Sequence, residues 1–177
     1  EKALEYYNKS LAIQLNTLGE NHPDVAASYN NIGNVYRAKG DNEKALEYYN
    51  KSLAIQLNTL DENHLDVATS YNNIGNVYRA KGDNEKALEY YNKSLAIRLN
   101  TLDKNHPDVA ASYNNIGLVH KKKGDNGKAL EYYTKSLAIQ LNTLGENHPV
   151  VATSYNNIGI VYQEKGDNDN ALEGYSK

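Results

Sequence analysis

The chain has 177 residues, 40% apolar and 23% charged, with 19 basic against 22 acidic side chains and a net charge of −3. That length allows one domain with its own core, the charge balance leaves no surplus of cations for a phosphate backbone, and the lack of cysteine excludes disulfides, thiolate metal sites and cysteine nucleophiles. No apolar run reaches the roughly eighteen residues of a membrane span, so a water-facing, cytoplasmic protein is expected, with neither nucleic acid nor membrane as partner. Methionine is missing even at position 1, which reads as a piece of a longer chain.

Shifted by 42 residues, the sequence falls on itself. Positions 1–42 and 43–84 agree at 39 of 42 places, and each of the next two units agrees with the first at 35. Such self-similarity signals stacked copies of one local structure. In chain order, the reading gives a helix over 1–18, full helix pairs over 22–60, 64–102 and 106–144, and over 148–177 a first helix followed by a truncated second one. In the first pair, Pro23 suits the opening position of a helix, Asp24 adds negative charge to its first turn, and Gly40 stops it. This helix A runs from Pro23 to about Lys39. Asp41 caps the next segment, helix B, which meets no Gly or Pro before Leu60.

Helical periodicity brings Val25, Tyr29, Ile32 and Tyr36 onto one stripe of helix A. Helix B has a broader apolar arc of Leu46, Tyr48, Tyr49, Leu53, Ile55, Leu57 and Leu60, as expected of a helix packed on its own partner and on a neighbouring unit. Gly33 and Ala45 face inward with almost no side chain and let the helix axes approach.

The sequence Tyr29, Ile32-Gly33, Tyr36, Gly40, Ala45, Tyr49 and Ser52 resembles the tetratricopeptide repeat, and it recurs four times. The longer period, with Leu18 to Ala26 and then Asn30-Asn31-Ile32, is similar to the 42-residue repeats of kinesin light chains. The resemblance implies an all-α fold, an α-solenoid of antiparallel helix pairs wound as a right-handed superhelix, whose concave groove is lined by helices A. It also implies a protein–protein interaction scaffold that binds an extended peptide or a partner helix there.

Comparing the units locates the variable face of helix A. Positions 24, 27, 34, 37 and 38 vary within an arc of about 140° opposite the core stripe, while the pair Asn30 and Asn31 stays the same as Asn72 and Asn73, Asn114 and Asn115, and Asn156 and Asn157. A carboxamide both donates and accepts, so this ladder suits the backbone of an extended peptide. Selection is expected from the variable places: Asn34 and Asn76, Arg37 and Arg79 for carboxylates, Leu118 and Ile160 for an apolar group, Lys121 and Lys122 for acid again, with Gln163 closing the series. In the family resembled, some members grip a C-terminal carboxylate with cations at two helix A positions that hold Asn30 and Asn34 here. Kinesin light chains bind acidic peptides carrying an aromatic, for which the resemblance implies Arg37, Arg79, Lys121 and Lys122.

Other features point away from chemistry. His22, His64, His106 and His148 precede each helix A, one per unit; packed axes about 8 to 10 Å apart keep them from sharing one metal, so capping or loop packing is expected. His120 stands where other units have a core Tyr. Almost every polar group appears four times over, whereas an enzyme needs a singular constellation; neither enzyme activity nor a cofactor is expected. Alternatives to peptide binding are a structural array stacking head to tail through uncapped ends, with Leu4, Tyr7 and Leu11 meeting another copy, and a sensor or spacer segment of a larger signalling protein.

Overall fold

The structure is a computed structural model that describes residues 2–166. The truncated helix expected at the end of the chain lies outside the described residues. Eight helices follow one another: α1 (Lys2–Leu18), α2 (Pro23–Ala38), α3 (Asn42–Thr59), α4 (Leu65–Lys81), α5 (Asn84–Thr101), α6 (Pro107–Lys122), α7 (Asn126–Leu144) and α8 (Pro149–Glu164). They alternate as helices B and A of an all-α array of paired antiparallel helices, with no strand among the described residues.

The boundaries follow from local chemistry repeated unit by unit. Each helix A begins behind a histidine whose Nδ1 accepts the backbone N–H two residues on, at 3.1–3.2 Å, so the four recurrent imidazoles are N-caps. Gly40, Gly82, Gly124 and Gly166 follow the helices A with φ of 76–82°, a left-handed turn that side chains with a Cβ resist. Asp41, Asp83 and Asp125 then accept the N–H three residues on and start α3, α5 and α7.

The chain divides into two compact units, Glu1–Ile97 and Arg98–Lys177. In the first, α2 packs on α3, α1 on α2, and α4 on α3. Val25, Ile32, Tyr49, Val67 and Ile74 are wholly removed from water, each such side chain contributing roughly 1.5–3 kcal/mol. A Cβ at Gly33 would lie 2.7 Å from the Tyr49 ring, so glycine sets how closely α2 and α3 approach. Ser52 Oγ donates to the Ala26 carbonyl at 2.7 Å, which shows why a small residue belongs there. At the rim of this core Tyr36 stacks on Tyr48 at 5.4 Å, and the Lys51 ammonium sits 5.0 Å above the Tyr48 ring.

The second unit repeats this scheme with α6 on α7 and α7 on α8. Gly117 meets the Tyr133 ring as Gly33 meets Tyr49, and Ser136 Oγ donates to the Ala110 carbonyl at 2.9 Å. His120 takes the tyrosine's place in the stack, its ring 5.6 Å from that of Tyr132. Two expectations about the core need correcting. Leu57 is 45% exposed, because it lies off the face of helix B that buries Leu53, Ile55 and Gln56. Conversely Val77, Val119 and Val161 are fully buried although they lie outside the stripe read from the sequence; helix A is covered over a wider arc than one neighbour requires.

Candidate functional site

The expected ligand-facing positions sit on α2, α4, α6 and α8. In the first unit Asn31 is exposed and Asn30 half-buried, and Asn30 Oδ1 accepts a hydrogen bond from Asn73 Nδ2 on α4 at 3.0 Å. In the second unit Asn114 Oδ1 accepts from Asn157 Nδ2 at 3.5 Å, while Asn156 is exposed. Asn72 and Asn115 are half-buried. Within each unit, then, successive helices A are joined by a carboxamide rung. The unvarying Asn-Asn pair is the only sequence signal of this bond, which joins residues 43 apart.

One turn further along, the asparagines face inward. Asn34 Oδ1 accepts the phenol proton of Tyr49 at 2.7 Å, and Asn76 does the same for Tyr91 at 2.8 Å. Arg79 Nε donates to the same Tyr91 oxygen at 3.2 Å. Burial pushes both phenols above their ordinary pKa, with Arg37 beside Tyr49 and Arg79 beside Tyr91 partly opposing it. Two positions read from sequence as selecting a ligand therefore also satisfy a buried tyrosine in their own repeat. Leu118 replaces that acceptor in the third repeat and packs on Ala129, Tyr133 and Val161.

The remaining positions are distributed unevenly. Ile160 is half-buried, and Arg37, Lys122 and Gln163 are exposed. Lys121 pairs with Glu164 of α8 at 3.4 Å, which lowers its availability to a partner's carboxylate. The sequence reading missed a second layer of polar contacts beneath this face. Ser28, Ser70 and Ser154 donate to Gln14, Gln56 and Gln140 at 2.6–2.7 Å; in the third repeat Arg98 replaces the glutamine and donates to Ser112 Oγ at 2.7 Å and to the Asp108 carbonyl at 3.0 Å. Arg98 is only 7% exposed, and burial lowers its pKa, with Asp108 opposing.

This arrangement presents donors and acceptors along a helix face and gathers no nucleophile with a base. Among the described residues no three of His, Asp and Glu are grouped to hold a metal ion. No helix of the described residues is long and apolar enough to cross a membrane.

The sequence matches the tetratricopeptide repeat over residues 1–58, 26–100, 66–142 and 108–176. Among solved structures it is similar to the nearly identical TPR-like repeats of a Podosopora anserina protein named for kinesin light chain. The identity is 30%, over 99% of this chain and 83% of that one, with a TM-score of 0.83. BtubC (BKLC) from P. vanneervenii is 27% identical, with 99% of this chain and 70% of that one covered and a TM-score of 0.90. MamA, at 21% identity over 98% of this chain and 82% of that one, shares the fold with a TM-score of 0.67. The comparison with curated proteins gives no match.

Proposed function

This chain belongs to the tetratricopeptide repeat family, and from that premise we propose that it is a protein-interaction module binding an extended peptide segment along the faces of its helices A. The observation that carries this reading is the carboxamide series. Asn31 and Asn156 stand exposed on helices A; next to Asn31, Asn30 is bonded to Asn73, and next to Asn156, Asn157 is bonded to Asn114. A peptide backbone needs both a donor and an acceptor at each grip point, and a carboxamide supplies both without reading side chains. Fixing a neighbouring asparagine in advance reduces the ordering cost of binding. Arg37 adds an exposed cation at the end of α2, which favours a segment with a carboxylate nearby.

The test begins with a random peptide display selection on the full chain. The tightest peptide is then titrated against N31A/N156A and against N50A/N92A, whose asparagines are exposed on helices B. Loss of a hydrogen bond in whichever unit holds the peptide predicts about a fivefold weaker Kd for the first variant and no change for the second. Equal affinity for both variants rejects the reading.

A further inference from the structure

Equivalent cavities lie in the two units. In the first the cavity lies between α2, the end of α3 and the start of α4, walled by Pro23, Ala27 and Leu60 with the Asn30 carboxamide at one side, and holds about 140 Å³. In the second, Pro107, Ala111, Leu144 and Asn114 occupy the corresponding places, and the volume is about 280 Å³. One wall residue differs in chemical kind: Asp66 borders the first cavity and Val150 the second.

Val150 is unexplained by the fold itself. It is the second residue of α8, a place where Asp24, Asp66 and Asp108 stand in the other helices A. A carboxylate there meets the positive end of the helix dipole, and valine gives up that attraction. Its side chain remains 43% exposed beside Leu144, itself 39% exposed. An apolar pair is thus set in water at the mouth of a cavity twice as large as its counterpart.

We propose that the cavity of the second unit is a socket for one bulky apolar side chain, phenyl or leucyl, of the partner peptide. This rests on the reading of the helix A face given above, and Asn114 ties the two together because its carboxamide both lines the cavity and bonds Asn157. The size fits: an apolar cavity of about 150 Å³ accepts benzene. The removed charge fits as well, since an apolar group entering beside a carboxylate would strip water from it uncompensated. The Asp66 carboxylate makes the first cavity a poor host for the same group.

A titration of the isotope-labelled full chain with N-acetyl-phenylalaninamide, followed by backbone amide NMR, tests this. Saturable millimolar shifts are expected at Ala110, Ala111 and Val150, while Ala26, Ala27 and Asp66 stay in place. V150D, which restores the side chain found in the other three repeats and so preserves the fold, should abolish the shifts. Absence of shifts at Ala110, Ala111 and Val150 in the natural chain, or equal shifts in V150D, overturns the proposal. Because the probe is a single amino-acid amide, it reads the socket alone; N31A/N156A binding the selected peptide normally would remove the backbone-grip reading and leave this titration as it stands.

Discussion

At the scale of single residues, two positions govern the pairing of helices A and B. Gly33→Ala forces a methyl into the Tyr49 ring, 2.7 Å away, in a core with no slack, and should lower unfolding stability by about 1–3 kcal/mol in a denaturant titration. His120 makes the second unit sensitive to acid. Its imidazole is held below its ordinary pKa near 6.5, first by burial and then by Lys128 and Lys123, with Asp125 opposing. Asp125, Lys128, Glu131 and Tyr132 face it from α7 and its capping turn, and Lys123 from the end of its own helix. Below about pH 6.5 the unfolded chain takes up this proton more readily than the folded one, so stability is fully present above that pH and lost as pH falls through it. His120→Tyr, which restores the residue of the other repeats, should flatten the fall in Tm between pH 7.5 and 5.5; an unchanged slope contradicts the assignment. Sequence alone marked Gly33 as a close-approach position and His120 as a core substitution. It did not show that Asn34 and Asn76 serve buried tyrosines, because a polar residue on a variable helix face carries no sign of a partner fifteen residues away.

At the scale of helices, caps were legible and inter-helix polar bonds were not. Proline, aspartate and glycine act on their own neighbours and so leave a local mark, whereas the bond from Ser70 to Gln56 depends on two helices already being packed. The third repeat departs from that rule at Arg98, a charged group buried against neutral oxygens. Arg98→Gln restores the glutamine of the other units and relieves a desolvated charge, so it should raise Tm; a marked fall would mean that the guanidinium's bonds outweigh its burial. In the first unit Glu43, in the opening turn of α3, pairs with Lys81, but α7 has Gly127 at the equivalent place, where a Cβ would make only an ordinary contact, 3.9 Å from Asp125 Oδ1. Gly127→Glu removes a helical glycine and adds negative charge at a helix start, and a gain of about 1 kcal/mol in chemical denaturation is expected.

At the scale of the molecule, the 42-residue period made the all-α pairing legible, since each apolar face has to be covered by the next copy of the same local structure. The candidate site was legible only in part. Comparing units separated the varying face from the fixed one, and the structure adds that part of the fixed set, Asn30 with Asn73 and Asn114 with Asn157, is internally bonded. What a repeat sequence conceals is which of its conserved polar groups are spent within the array, because inward and outward uses recur with the same period. Helices A, not helices B, are proposed to meet the partner. The most direct measurement is the set of side-chain carboxamide NMR signals of the full chain as the selected peptide is added: Asn31 in the first unit or Asn156 in the second should move and saturate, with Asn50 and Asn92 still. Movement confined to Asn50 and Asn92 would contradict it.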